Sequence, residues 1–486
     1  MMSLPHQIEE MLSRAEFFEP EQPVWMARAP GRLDVMGGNV DYTGGLVLQG
    51  LLAESVSAAA QTSLDGRVRV LNPGAQQWGW ATELAFPAAE LESVSAIRAF
   101  CDRSAGTWWG RYVLGCLHWL AKQDRSLCQG GMRVFLHSDL PPNRGVASSA
   151  AVEIAVLKAV SAALARPLQG IALATAAQWV ENVVVGAGCG IMDQAAITLG
   201  RGDSLLPILC QPCAPQAPVR LPTGGRIWGI DSMAARSTTS AAYDRARAAA
   251  FMGYKLICRQ EGLPLRAAQQ GGLVRWIDDR WNGYLSNVQP SEFRAQYEQM
   301  LPENLRGEIF LAEAGEHVDP LTEIALDQDY PVRAAARYAV EEHHRVKTVA
   351  TLLAALASSE TAGARLDQSA GLELVGEIFR QSHHAYRECG LGSEACDELV
   401  ERVRRAGLPG AKMTGGGGGG VVAVLAPIED EALVYRIATE YSIGRGAQAA
   451  VFACCGGNDA VLGADAFGTH AAVGLREQQE AACVRG

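Results

Sequence analysis

Four stretches of this sequence carry residues whose types and spacing could do chemistry. Pro141 to Ala155 reads PPNRGVASSAAVEIA, a proline-glycine turn running straight into small and apolar residues at helical spacing. A helix start of that kind presents unpaired N–H groups and a positive dipole end, so the stretch reads either as a phosphate cradle or as an ordinary helix start in a core. Ser148 and Ser149 stand where capping residues belong, and Ala150, Ala151, Ala155 and Ala159 let other backbone come close. The second stretch, VWMARAPGRLDVMGGNVDY from Val24 to Tyr42, sets the charges of Arg32 and Asp41 among glycines and apolar residues. The third, GAGCGIMDQ, holds Asp193 behind Ile191 and Met192; a lone acid in such company is a cap, a paired core group or a catalyst. The fourth is six consecutive glycines, Gly415 to Gly420. By composition they would be a flexible linker, but LPGAKMT before them and VVAVL after them are strand-like and place the loop at a sheet end, where backbone can close on a ligand.

Composition limits what these stretches can serve. A chain of 486 residues with 48% apolar content buries a large core and suggests two or three domains. The net charge is −11 and the basic clusters are short arginine pairs such as Arg404 and Arg405, which disfavours nucleic acid as a partner but leaves a small anionic ligand open. The most apolar segment, Ser148 to Ala165, is broken by Glu153 and Lys158, so no membrane span or signal segment is expected. Twelve scattered cysteines fit reduced thiols in a cytoplasmic protein; Cys210 and Cys213 have C-x-x-C spacing without the second pair of a zinc ribbon.

The elements that must position the four stretches can be read in order. Residues 1–22 form a polar helical lead-in. A short strand, a turn at Pro30 and Gly31 and a second apolar run follow, then strand-like alternation from Leu46 to Val56 and from Arg67. A helical pattern opens at Trp108 and runs to Leu120, and MRVFLHSDL is a strand delivering the chain into the loop at Pro141, with the helix behind it running to about Ala165. In the next helix Leu173, Ala177, Val180 and Val184 make one stripe, with Gln178 and Glu181 off it, ending at Gly186. The interruption CQPCAPQAP marks a boundary between a first domain, 23–215, and a second, 216–472. The second opens with the strand RIWGIDS, then Arg236 and Tyr243 and a helix to about Gln260. An irregular insert at 271–331 carries no assignable chemistry; helices from Ala334 to Ala357, Leu372 to Tyr386 and Ser393 to Ala406 follow, and 473–486 reads as a disordered tail.

APGRLDVMGGNVDYTGG, PPNRGVASSAA and KMTGGGGGG, in this order, resemble the three signature motifs of the GHMP small-molecule kinases, the superfamily of galactokinase, homoserine kinase and mevalonate kinase. VENVVVGAGCGIMDQ resembles the galactokinase stretch that holds a magnesium glutamate and a catalytic aspartate, and Trp109 with Tyr112 resembles the segment lining the adenine pocket. One place departs: the Glu-His pair that galactokinases carry before the sugar-binding aspartate is Gly38 and Asn39 here. In galactokinases that pair lies near the exocyclic hydroxymethyl group, and L-arabinopyranose is the galactopyranose ring without that group. GRLDVMGG, FMGYKLI and GYLSNVQPSEFRAQYEQMLP are similar to the kinase domain of plant L-arabinokinases.

The resemblance implies an α+β chain of two domains, an N-terminal domain like domain 2 of ribosomal protein S5 and a ferredoxin-like C-terminal domain, with the site in the cleft between. It implies that ATP is held by Pro142, Asn143, Arg144, Gly145, Val146, Ala147, Ser148, Ser149 and Ala150, by Trp109, and by Gly416 and Gly417 of the glycine run. Mg²⁺ would fall to Ser149 or Ser148 with Glu181. Asp193 would orient or deprotonate the anomeric hydroxyl beside Arg32, and Asp41, Gly38, Asn39, Gly190 and Tyr243 would form the sugar pocket. None of the five lysines follows a glycine, so no Walker loop competes for the phosphates. Glycine at 38 is expected to leave room beside the sugar, and Gly418 to add loop freedom without losing a contact. The implied activity is an ATP-dependent sugar 1-kinase, of L-arabinose before D-galactose, in a monomer or homodimer; the competing readings are a galactokinase with an unusual pocket, a nucleotide- and sugar-binding sensor without turnover, and a family member acting on mevalonate or homoserine compounds.

Overall fold

The computed structural model describes residues 17–19, 22–234, 241–270, 273–362, 367–454 and 465–470; residues 1–16, Arg236 and the tail 473–486 lie outside them. The first half is built on two long strands, β1 (Pro23–Met36) and β2 (Leu46–Thr62), paired antiparallel along most of their length. β2 also pairs with β5 (Met132–Ser138) and β6 (Leu206–Leu209), and β5 runs parallel to β3 (Arg67–Leu71), which pairs with β4 (Glu83–Pro87) at the edge.

Where the sequence suggests a turn at Pro30 and Gly31, β1 continues unbroken. Its register with β2 shifts between Pro30 and Arg32, a bulge that absorbs the proline's missing N–H. A Cβ at Gly31 would stand 2.6 Å from the Leu140 side chain and 3.0 Å from Val146 O, so only glycine lets β1 lie this close to the 141–147 loop.

Beneath the sheet lies a helix apolar on nearly all sides. After α1 (Gly110–Ala121) and β5, α2 (Ser148–Ala163) buries Ala150, Ala151, Ile154, Ala155, Val156, Leu157, Ala159 and Val160 against β1, β2 and α1. A helix buried all round belongs in a core, and its small residues allow the close approach to the strands. α3 (Gly170–Val180) buries the predicted stripe and passes into a π-helical turn at Glu181–Val185 that ends at Gly186 with φ +88°. α4 (Met192–Leu199) follows and carries Asp193 in its first turn.

The second half alternates β7 (Gly225–Asp231), α5 (Ala241–Gln260), α6 (Val332–Ala362), α7 (Gln368–Glu388), α8 (Glu394–Arg405), β8 (Gly410–Met413), β9 (Val421–Pro427), α9 (Glu431–Ser442) and β10 (Val451–Cys454). In space the strands run β8, β9, β7, β10, all antiparallel, which is the ferredoxin-like order. Cys454 pairs with Leu52 to join β10 to β2, and the strand Asp465–His470 pairs antiparallel with β1, so both halves share one sheet. The 271–331 segment is packed rather than loose: Phe293, Tyr297, Leu301 and Phe310 are fully buried in a cluster with α5 and α6. Its aromatic residues follow no helical or strand period, so periodicity could not reveal that core.

Candidate active site

The bulge in β1 aims Arg32 at the helix start below. Its backbone N–H donates to Val146 O (3.1 Å), Nη1 donates to Gly145 O (2.6 Å), and Nε and Nη2 both donate to Oδ1 of Asp193, at 2.9 and 2.6 Å. Arg32 is 1% exposed, whereas the Asp193 carboxylate keeps 25% and faces the cleft. The cation is therefore locked in place and holds the acid through Oδ1, while no described residue makes a hydrogen bond to its Oδ2.

The loop before α2 is organised for an anion. Ala147 takes a left-handed conformation at the N-cap with φ 57°, and no side chain caps the helix. Ser148 and Ser149 are therefore not the predicted capping residues; they are the first residues of the helix itself, with hydroxyls left over for other partners. Pro142, Asn143, Gly145, Ala147, Ser148 and Ser149 line one cavity together with Arg32 and Asp193. Val146 and Ala150 are buried behind it. Arg144 does not face the cavity: its guanidinium lies 3.4 Å from Asp231 at the end of β7, so it ties the loop to the second half.

Glu181, in the π-helical turn, is 3% exposed and accepts from Nε2 of Gln194 at 2.6 Å. Burial first, then the Asp193 carboxylate, raise it to about 7, and hydrogen bonds that include one from Ser149 pull it back. Ser149 and Glu181 are thus adjacent hard oxygen donors beside the anion loop, a set that suits Mg²⁺, which takes one or two carboxylates and fills its remaining positions with phosphate oxygens and water. Among the described residues no group of three or more His, Cys, Asp or Glu could hold a metal ion, and such a Mg²⁺ site needs none. Glu153, fully buried on α2, is pushed well above the usual carboxyl range by burial and by the Glu181 and Asp193 charges.

The far end of this cavity is aromatic. Trp109 is buried and donates from its indole N–H to Ala81 O (3.2 Å), while Trp78, Trp80, Trp108 and Tyr112 complete the lining. Trp80 meets Trp108 edge-on at 5.5 Å and Trp108 meets Tyr112 at 5.9 Å. A flat apolar ring fits such walls.

Asp41 and Gly190 line a second cavity, near enough to Asp193 for its charge to reach Asp41. A Cβ at Gly190 would overlap the Asp41 carboxylate. Burial, then the Asp193 charge, raise Asp41 to about 6 against the pull of Arg247. Tyr243, on α5, packs edge-on against Tyr42 at 6.0 Å, close enough to Asp41 for that charge to help push its phenol up.

Gly38 and Asn39 lie elsewhere, at the junction of the two halves. A Cβ on Gly38 would overlap Tyr386 Oη and Gly415 O and stand 2.6 Å from Asp34 Oδ2, so the expected empty room is already filled. Asn39 is 4% exposed with φ 62° and donates from Nδ2 to Gly415 O at 3.3 Å. The glycine loop docks here: Gly415 N–H donates to Asp34 Oδ2 (2.8 Å) and Tyr386 Oη to Gly415 O (2.6 Å), while Gln49 Nε2 donates to Asp34 Oδ1 (2.7 Å). Gly416 and Gly417 are buried and line neither cavity, Gly417 lying against Leu391 and Tyr386, and a Cβ at Gly420 would stand 2.8 Å from Arg144 O of the 141–147 loop. A Cβ at Gly418 (φ +75°) would meet nothing within 4 Å. Asp34→Ala should strand the Gly415 N–H and the Gln49 amide, each costing about 1–3 kcal/mol, and Asp34→Asn much less; urea unfolding of the three proteins measures the difference.

Asp34, Gln194, Arg247 and the Trp78/Trp80 pair escape a reading of the sequence. WGW at Trp78 to Trp80 was the one available signal, an aromatic cluster ahead of the Trp108 helix.

The chain matches the GHMP kinases N terminal domain over 111–201, the galactokinase galactose-binding signature over 14–62 and the GHMP kinases C terminal domain over 368–443. It is 32% identical over 467 residues to an L-arabinokinase of Arabidopsis thaliana, an alignment covering 86% of this chain and 44% of that protein, so the chain spans less than half of that relative's length. A galactokinase of Roseiflexus sp. (strain RS-1) is 26% identical over 89% of this chain and 91% of its own. The crystal structure of Lactococcus lactis galactokinase complexed with galactose superposes with a TM-score of 0.69 at 20% identity, over 93% of this chain and 98% of that one.

Proposed function

From a chain that belongs to the GHMP kinase family by its N-terminal domain, its C-terminal domain and its galactose-binding signature, we propose an ATP-dependent sugar 1-kinase, with L-arabinose as substrate and L-arabinose 1-phosphate as product. The observation that carries the reading is the Arg32–Asp193 pair, which lines one cavity with the 142–149 loop and the aromatic walls and whose acid lies near enough to raise Asp41 of the second cavity. Phosphoryl transfer asks a protein chiefly to align two oxygens and to neutralise charge, and this pair stands where both are needed.

In this mechanism the N–H groups at the start of α2 and the 142–149 backbone hold the triphosphate, and the tryptophan walls hold the base. Ser149 and Glu181 hold Mg²⁺, which when bound neutralises phosphate charge. Asp41 and Gly190 hold the sugar, and the free oxygen of Asp193 takes the hydrogen bond of the anomeric hydroxyl. Arg32 holds that acid in one orientation and sets a positive charge beside the transferring group, so alignment and electrostatics carry the step. The L-arabinokinase relative supports arabinose over galactose; a galactokinase activity remains the second reading, supported by the Roseiflexus relative. An intact Asp193, Arg32 and Glu181 set speaks against a sensor without turnover.

The test is ADP release by the protein with MgATP and L-arabinose, D-galactose or no sugar at equal concentration, with the phosphate position read by ³¹P NMR. Arabinose-dependent ADP with a 1-phosphate product supports the reading; no sugar-dependent ADP sinks it. The pH profile follows from Asp41. Only when ionised does its carboxylate accept sugar hydroxyls at both oxygens with full charge, so the sugar KM should rise as pH falls through about 6, by up to about tenfold per unit. Asp41→Asn should show a raised KM with that dependence gone.

A further inference from the structure

The cavity beyond Asp41 is not walled by the first half alone. Asp41 and Gly190 form its inner side, and Trp276, Tyr284 and Leu321 of the 271–331 segment form its outer side, with Arg247 of α5 between them. Arg247 is 4% exposed and Asp319 6%, and they join in a two-pronged pair: Nε donates to Oδ2 at 2.7 Å and Nη2 to Oδ1 at 2.8 Å. Thr322 Oγ1 donates to the same Oδ2 at 2.7 Å, and the Leu321 N–H reaches Oδ1 at 3.3 Å.

The cation also reaches the first half. Nη1 of Arg247 donates to Gly188 O at 3.1 Å, two residues before the glycine that abuts the Asp41 carboxylate, and the guanidinium lies 4.9 Å from the ring of Tyr42, the neighbour of Asp41. Two loops distant in sequence, 41–42 and 188–190, are thus fixed by one side chain. Asn182 and Gln178 clamp Cys189 of the second loop from the other side, through bonds of 2.8 to 3.3 Å. Arg247, Asp319 and Tyr42 are absent from the lining of the nucleotide cavity.

We propose that Arg247 and Asp319 are a positioning pair for the acceptor sugar, through which the 271–331 segment sets the shape of the pocket around Asp41 and Gly190. The proposal rests on the sugar-kinase reading above and adds to it a role for that segment. A planar two-pronged pair transmits orientation, because its parallel hydrogen bonds fix the guanidinium plane as well as its position. Misplacing Gly190 or Asp41 would then weaken sugar binding while leaving ATP binding as it was.

The experiment is steady-state kinetics of the full chain carrying Asp319→Asn or Thr322→Val, with the sugar that the wild type phosphorylates, varying sugar and MgATP separately. Asp319→Asn should raise the sugar KM at least about tenfold with kcat within about threefold and the MgATP KM unchanged, the pattern of lost ground-state positioning. Thr322→Val keeps the pair and removes one of its supports; it should fold normally and raise the sugar KM by about threefold. If Asp319→Asn does not fold, Thr322→Val decides. A folded variant with an unchanged sugar KM, or one in which kcat and both KM values worsen together, would overturn the positioning role. A wild type that turns over no sugar overturns the sugar-kinase reading first, and this proposal with it.

Discussion

Asp193→Asn is expected to lower kcat at least about a hundredfold while sugar and MgATP still bind nearly as in the wild type, the scale on which loss of an aligning or proton-accepting group usually shows. The substitution keeps the shape of the side chain and leaves Oδ1 able to accept the two Arg32 hydrogen bonds. What it removes is the negative charge beside a guanidinium that is 1% exposed, and the second oxygen that the reacting hydroxyl would use. Some stability must go with that charge. Removing one member of a buried pair costs about 3–5 kcal/mol, but Asp193 is a quarter exposed and water screens it, so the cost here should be well below that range. Thermal unfolding of the variant separates the two effects: a folded protein that binds both substrates and fails at turnover places Asp193 at the transferring phosphoryl group. A kcat near the wild-type value would remove Asp193 from the mechanism.

The second large effect is expected from restoring the galactokinase pair, Gly38→Glu with Asn39→His. If the glycine were simply vacant space beside the sugar, the double variant should gain activity on galactose. The structure predicts the opposite. A Cβ at position 38 already overlaps the Tyr386 hydroxyl and the Gly415 carbonyl, and one of these is backbone that Asp34 also holds. Overpacking a well-filled site costs about 1–3 kcal/mol and more where backbone must move, so the double variant should lose at least about 3 kcal/mol or fail to accumulate as soluble protein. Gly38→Ala should already be measurably destabilised. A folded double variant with an improved galactose KM would show that the junction can open, and would return Gly38 to the sugar pocket.

These two positions mark where sequence reading works and where it stops. Asp193 could be found because its context is local: a glycine loop, two apolar residues and a helix start are encoded by neighbours in the chain, and Glu181 lies on the helix just before it. The 141–147 loop and the helix behind it were legible for the same reason, and so were the buried stripe of α3 and the long helices of the second half, whose periodicity survives in any tertiary setting. The direction of individual side chains was not. Ser148 and Ser149 read as caps because their types suit that role, yet the left-handed Ala147 ends the loop one residue earlier and neither hydroxyl caps the helix. Pro30 and Gly31 read as a turn because a bulge in a continuous strand shows only when the partner strand is known.

The sequence by itself determined the order of the motifs, the kind of ligand they suit and the helices and strands that carry them, since each depends on residues within a few positions of one another. Tertiary structure alone decided what those motifs face. Asp34 meets Gly415, Arg144 meets Asp231, and Arg247 binds Asp319 while reaching Gly188, because strand register and the crossing of the two halves bring distant chain together. A charged or glycine residue announces that it needs a partner or a close approach, but its type is the same whichever partner the fold supplies.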